Sequence, residues 1–285
     1  MSTADLDCAR QALDSVQADS ALPDWLAPDE ACDVPFDGEP GKARDAVRVA
    51  LRDRPIDVNV LPKTFRRKRL LIADMDSTMI RQECIDELAV TIGKRAEIAA
   101  ITESAMRGEI AFEPALRKRV ALFKGLSTDV VERVLAEQIE IMPGAGTLIA
   151  TMRAAGAHTA LVSGGFSSFV GPIGQKIGVH ETRANVLLSE AGNFTGLVAE
   201  PILGADAKEQ ALLELNSRLG LALEQTMAVG DGANDSAMIR RAGLGVGYRA
   251  KPTLKAVADA TIDHADLTGL LFLQGYRREE FSEAG

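Results

Sequence analysis

Leu70-Leu71-Ile72-Ala73-Asp74-Met75-Asp76-Ser77-Thr78 is the stretch from which the fold can be read. Four consecutive apolar residues suit a short strand buried on both faces, as in a parallel sheet. The run ends in two carboxylates one residue apart, whose side chains turn toward the same side where such a sheet opens into its crevice. Alone, a D-x-D pair is equally a turn former or a solvated cap, so the surrounding sequence has to decide.

Three further apolar runs of the same length class follow: Thr159 to Val162, Thr226 to Val229 and Leu244 to Val246, each bounded by Gly, Ser or Asp. Between them lie helical patterns, Gly144 to Ala155 after Pro143, Ala207 to Leu219, and Asp235 to Arg241. Strand and helix in alternation predict a Rossmann-like, doubly wound parallel α/β core. From about residue 81 to 141 the periodicity is helical only, carried by Ile85, Leu88, Ala89 and Ile92, then Leu116, Val120 and Leu122, then Val130, Val131 and Val134. That interval is too long for one crossover and predicts a helical cap inserted after the first core strand. Two alternating runs around Glu190-Ala191-Gly192-Asn193 predict a hairpin with an architectural role. Residues 1–67 have another texture: Pro23, Pro28, Pro35 and Pro40 break the middle, helical patterns flank it, and Ile56 to Val60 alternates, which predicts a small α+β module. The basic run Arg66 to Arg69 is expected to be a solvated strand entrance.

The composition narrows the function. The chain has 285 residues, 46% of them hydrophobic, enough for a real core. A net charge of -9 and a pI near 5.0 disfavour nucleic acid and anionic membranes as partners. Cys8, Cys32 and Cys84 show no C-x-x-C spacing, and the N-terminus lacks an apolar leader, so reduced thiols and a cytoplasmic protein are expected. His158, His180 and His264 share no metal-ligand spacing and are expected to be structural.

Three other segments qualify the D-x-D. Gly230-Asp231-Gly232-Ala233-Asn234-Asp235 follows an apolar strand and supplies two carboxylates and an amide, hard oxygen ligands of the kind Mg²⁺ takes when it also shares a phosphate. Ser163-Gly164-Gly165 places a hydroxyl and two backbone amides where a phosphate oxygen can be received. Lys208 opens a helix before the Thr226 strand, a cation that can hold an aspartate nucleophile.

In this order, Asp74 to Thr78, Ser163 to Gly165, Lys208 and Gly230 to Asp235 resemble the four motifs of the haloacid dehalogenase-like hydrolases. Within that group the chain is similar to the phosphoserine phosphatases, through D-M-D-S-T at Asp74, Glu83, Met106, Phe112, the Leu116 to Val120 segment and G-D-G-A-N-D at Gly230. The resemblance covers about residues 68 to 272. By likeness to larger relatives, the module at 1–67 is expected to be a degenerate ACT-like domain ahead of a phosphatase domain at 68–285.

The resemblance implies hydrolysis of O-phospho-L-serine through an aspartyl phosphate, the last step of serine biosynthesis. It implies Asp74 as nucleophile, Asp76 as general acid and base, and Mg²⁺ held by Asp74, the Asp76 carbonyl and Asp231. Ser163, Gly164, Gly165 and Lys208 would receive phosphoryl oxygens, and Asn234 and Asp235 would order that shell. Glu83 and Arg119 would take the ammonium and carboxylate of the substrate, with Met106 and Phe112 lining the pocket. Cap opening is expected near residues 77–82 and 141–144. Transfer of phosphate to another alcohol, a phosphoacceptor switch and metal-free dehalogenation stay open as alternatives, although a general acid is superfluous in a switch.

Overall fold

In the computed structural model, which describes residues 2–106 and 109–283, Ser2 starts the first helix. Its hydroxyl accepts the Asp5 N–H at 3.3 Å, and the Asp5 carboxylate accepts the Ser2 N–H at 2.7 Å, a reciprocal cap that satisfies two otherwise orphaned donors. α1 spans Thr3–Ser15. The proline-broken middle forms two nested antiparallel pairs, β1 (Asp19–Ser20) with β4 (Phe36–Asp37) around β2 (Asp24–Ala27) with β3 (Ala31–Asp33). α2, Pro40–Ala50, begins with Pro at its first position and with the Glu39 carboxylate accepting the Gly41 and Lys42 N–H groups at 2.9 and 2.8 Å. The two helices enclose a small core of Ala9, Leu13, Ala18, Ala43, Val47 and Leu51.

The alternating segment 56–60 forms no strand. Its polar positions bond the main domain through side chains instead: Asn59 exchanges two hydrogen bonds of 2.9 Å with the Thr261 backbone, and Asp57 accepts from Asp263 and Ala265 N–H at 2.7 and 2.9 Å. The basic run works in the same way. Arg66 meets Asp33 and the Leu273 and Phe272 carbonyls, Arg67 pairs with Glu280 and stacks on Tyr276, and Lys68 Nζ donates to Glu224 O at 2.7 Å. Side chains of one charged run thus join the N-terminal module, the first core strand and the C-terminal segment.

β5 is Leu70–Ala73. Four cap helices follow, α3 Cys84–Thr91, α4 Arg95–Met106, α5 Phe112–Ala121 and α6 Val130–Glu137. The chain then continues through α7 Ala145–Ala154, β6 His158–Phe166, α8 Ser167–Ile177, β7 Glu181–Asn185, and a hairpin of β8 Leu187–Glu190 and β9 Asn193–Val198. α9 Ala205–Arg218, β10 Thr226–Gly230, α10 Ser236–Arg241, β11 Gly245–Tyr248, α11 Pro252–Lys255, β12 Ala260–Ile262 and α12 Gly269–Leu273 complete the order.

Six strands pair in the order β12-β11-β10-β5-β6-β7, every neighbour parallel. Strand period sends Leu71 and Ala73 to one face with Leu161, Met227 and Val229, and Leu70 and Ile72 to the other with Ala160, Val162 and Ala228. Both faces are covered, which is why β5 is apolar throughout. Leu88, Leu116, Val120, Phe123 and Val134 of the cap share one buried cluster with Met75, Met79 and Ile80, so the cap and the loop after β5 belong to one core. The cap's two connections run side by side: Arg81 N donates to Glu140 O at 3.0 Å and Met142 N to Met79 O at 2.9 Å. The hairpin holds the cap from its far side, with Gly125 N on Phe194 O at 2.8 Å and Phe194 N on Leu126 O at 2.9 Å. The three cysteines are free thiols, and His158 and His180 stack on each other with centroids 4.7 Å apart.

Candidate active site

The strand order reverses between β5 and β10, and that is where the acidic residues collect. Ala73 pairs with Val229, and the next amide, Asp74 N–H, donates to Val229 O at 3.0 Å, so Asp74 leaves the sheet beside the residues leading to Asp231. A crevice at the carboxyl ends of strands, at such a reversal, is the standard ligand position of doubly wound sheets.

Asp74, Asp231 and Asp235 are buried, and one carboxylate oxygen of each lies within 4.8 Å of the others. Lys208, its side chain 1% exposed, reaches Asp74 Oδ1 and Asp235 Oδ1, both at 2.7 Å. Asp74 Oδ1 also accepts the Met75 N–H at 2.8 Å, while Oδ2 has the Asn234 amide at 3.4 Å. The glycine at 230 makes room for this: a Cβ there would stand 2.4 Å from the Asp235 carboxylate. Asp235 Oδ2 accepts the Gly232 N–H at 3.2 Å. Burial, and then Asp74, push the Asp235 carboxyl up to about 7 despite its bond to Lys208. Burial opposes the Lys208 charge, yet attraction to Asp74 and Asp235 raises its pKa above the ordinary lysine value. One buried ammonium between buried carboxylates leaves excess negative charge on hard oxygen donors, a donor set that fits a divalent cation.

Asp76 reaches the same space from the loop. Burial first, then the Glu83 and Asp74 charges, push its carboxyl well above the usual range, and its Oδ1 is buried with no hydrogen-bond partner. A Cβ on Gly165 would lie 3.4 Å from Asp76 Oδ2 and 3.1 Å from Ser163 Oγ, which places Asp76 against the Ser163 loop. Ser163 is expected at the end of β6 but sits inside it, at an irregularity where pairing with β7 slips between Val162 and Phe166. Such a bulge re-aims side chains. Ser163 Oγ accepts the Gly165 N–H at 2.9 Å. Asn185 braces the loop from β7, donating to Gly164 O at 2.9 Å and Leu203 O at 3.1 Å while accepting the Leu203 N–H at 2.7 Å.

The cap supplies the remaining expected residues. Ser77 takes a left-handed φ of 55° at the loop's exit, and its hydroxyl donates to Glu83 Oε1 at 2.8 Å. Of three adjacent basic residues, Arg117 and Lys118 are exposed and Arg119 is half-buried. Arg117 pairs with Glu200. Burial lowers the Arg119 pKa, opposed by the Asp86 and Glu83 charges; its Nη1 lies 3.4 Å from Thr102 Oγ1. The Phe112 ring covers the glycines of the core, 3.6 Å from a Cβ built on Gly164 and 3.4 Å from one on Gly204. Met106 ends α4, and its side chain lies outside the described residues.

Two contributors escape a reading of the sequence. Asn185 ends the polar strand Glu181-Thr182-Arg183-Ala184-Asn185, which carries no apolar signal. Lys251 precedes Pro252 in a loop with no pattern, yet its Nζ lies 3.2 Å from Asp231 Oδ2. Among the described residues no helix is long and apolar enough to cross a membrane.

The profile of the haloacid dehalogenase-like hydrolases matches residues 71–240. A phosphoserine phosphatase of Mycobacterium tuberculosis is 42% identical over 242 residues, 85% of this chain and 57% of that protein, so the chain spans somewhat more than half the length of this relative. A haloacid dehalogenase family hydrolase from Salmonella enterica serovar Typhi superposes with a TM-score of 0.84 at 28% identity, covering 96% of both chains. The structure of a phospho-aspartyl intermediate analogue of a phosphoserine phosphatase matches with a TM-score of 0.67 at 40% identity, over 72% of this chain and 98% of the other.

Proposed function

The chain belongs to the haloacid dehalogenase-like hydrolases, and from that premise we propose that it hydrolyses O-phospho-L-serine to L-serine and phosphate through an aspartyl phosphate on Asp74. The observation that carries the reading is the grip on Asp74: Lys208 Nζ at 2.7 Å and the Met75 N–H at 2.8 Å hold one oxygen of a buried carboxylate in a fixed orientation at the mouth of the sheet.

Asp74 attacks phosphorus in line, and the bond from phosphorus to the serine oxygen breaks. Asp76 gives its proton to that leaving oxygen; its raised pKa and its lack of any partner for Oδ1 suit a carboxyl that carries a proton until substrate arrives. Asp76 then takes a proton from the water that attacks the aspartyl phosphate, which returns Asp74 and releases phosphate. The Asp74 and Asp231 carboxylates and the Asp76 carbonyl would hold Mg²⁺, which would supply positive charge to the phosphoryl oxygens. Lys208, Ser163 and the Gly164 and Gly165 amides receive the remaining phosphoryl charge, and Asn234 and Asp235 hold these groups in place. Glu83 takes the substrate ammonium and Arg119 its carboxylate, which a planar guanidinium can grip at two points. Phe112, whose ring lies beside Gly164, would line the pocket and help to exclude water.

The test is inorganic phosphate release from L-phosphoserine, phosphothreonine, phosphoglycolate and p-nitrophenyl phosphate, with and without Mg²⁺, for wild type and Asp74→Asn, and with homoserine as an added acceptor. Metal-dependent preference for phosphoserine, lost in Asp74→Asn, is expected. Turnover of the other esters but not phosphoserine would overturn the substrate, and activity that survives complete chelation would overturn the mechanism.

A further inference from the structure

Lys251 bears on the carboxylate cluster, yet the chemistry above does not employ it. Two bonds tie it to Asp231: its own N–H donates to the Asp231 carbonyl at 2.8 Å, and its Nζ lies 3.2 Å from Asp231 Oδ2. Pro252 follows it, which holds Lys251 in an extended conformation, φ -64° and ψ 152°. The backbone bond therefore fixes the root of the side chain beside Asp231 whatever the ammonium does.

The cluster's two lysines differ in kind. Lys208 is 1% exposed and bonded to two carboxylates, so its ammonium has nowhere to go. Lys251 is 53% exposed and meets one carboxylate, so its ammonium can leave Asp231 and remain in water. The charges of Glu83 and Asp235 also attract it, and the backbone at Gly232 lies alongside, 3.7 Å from Nζ to a Cβ built there.

We propose that Lys251 is a tethered counter-ion that competes with a divalent cation for Asp231, and so sets how tightly this enzyme holds its metal. The inference rests on the reading of Asp231 as a metal ligand. An ammonium and a divalent cation draw on the same carboxylate, so each must weaken the other. When the cation takes Asp231, the freed ammonium stays within reach of Glu83 because its backbone remains anchored. Lys251 is thus a positioning residue that keeps the acidic mouth partly neutralised whether or not metal is bound.

The experiment is direct Mn²⁺ binding, followed by the EPR signal of free Mn²⁺, on the full chain as wild type, Lys251→Met and Lys251→Arg. Thermal unfolding is measured in parallel, in chelator and in saturating Mn²⁺. Loss of a partly exposed ion pair predicts tightening on the order of five-fold in Lys251→Met, with Lys251→Arg close to wild type. Lys251→Met should melt below wild type in chelator and level with it in saturating metal. A purely structural lysine would instead weaken metal binding when removed. Equal or weaker binding by Lys251→Met, beside a wild type that binds Mn²⁺, would overturn the inference alone; no binding by wild type would overturn the metal site and the inference with it. If Lys251→Met does not fold, Lys251→Gln carries the same expectation.

Discussion

Replacing Lys208 by Met probes the electrostatics on which the site depends. The ammonium lies 2.7 Å from both Asp74 and Asp235, its side chain 1% exposed, and theirs 6% and 0%. Removing it leaves two buried carboxylates without their cation. Breaking a buried pair by deleting one partner costs about 3–5 kcal/mol, most of it the penalty of the charge left behind. At about 2 °C per kcal/mol for a chain of this size, the melting temperature in chelator should fall by roughly 6–10 °C. Turnover should fall by about 10²–10³ as well, the usual cost of losing one preorganised donor to developing phosphoryl charge. Adding Asp235→Asn to Lys208→Met should recover part of the stability, because one stranded charge is gone, but none of the turnover. Differential scanning calorimetry and phosphate-release kinetics on the two single variants and the double read both quantities. A Lys208→Met protein that melts within about 2 °C of wild type, or a double variant whose losses simply add, would refute the argument that the three groups form one buried charge unit.

Gly230→Ala would place a Cβ 2.4 Å from the Asp235 carboxylate; overpacking of that kind costs about 1–3 kcal/mol, so calorimetry should show a fall of roughly 2–6 °C, with weaker metal binding by titration. Arg119→Lys should raise KM for phosphoserine about ten-fold or more, because an ammonium cannot grip a carboxylate at two points, while Arg117→Ala, which removes only the exposed partner of Glu200, should leave KM unchanged in the same assay. Arg66→Ala removes the guanidinium that joins Asp33 to the Leu273 and Phe272 carbonyls; a loss of about 1.5–3 kcal/mol, reduced by its partial exposure, should appear in urea unfolding and as faster tryptic cleavage between residues 52 and 67.

The central sheet and the cap are legible because their signals are local. β5, β10, β11 and the first half of β6 are short apolar runs, those of β5 and β10 leading directly to Asp74 and Asp231, and burial on both faces leaves such runs no polar alternative. The helical insert expected after the first core strand is formed by α3 to α6, since helical period over so long an interval fits nothing else. β7 and β12 are edge strands: one reads Glu-Thr-Arg-Ala-Asn, the other Ala-Thr-Ile, and an edge needs less apolar surface. Alternation misleads at 56–60, where Asp57 and Asn59 bond to the core through side chains and no ladder forms. At the site, Asp74, Lys208, Asp231 and Asp235 form one buried cluster, and Asp76 lies against the Ser163 loop. Arg119 can be separated from Arg117 and Lys118 only by burial, which depends on how α5 is turned against the cap. Lys251 and Asn185 reach the site through tertiary contacts alone, so no spacing announces them.

An aspartyl phosphate on Asp74 can be trapped and located. Enzyme with Mg²⁺ is mixed with radiolabelled L-phosphoserine, quenched in acid within one turnover and digested, and the labelled peptide is sequenced. Transient label, released by hydroxylamine, is expected on the peptide that contains Asp74, and none in Asp74→Asn. Phosphate released at the full rate without label on Asp74, or undiminished turnover by Asp74→Asn, would contradict that intermediate.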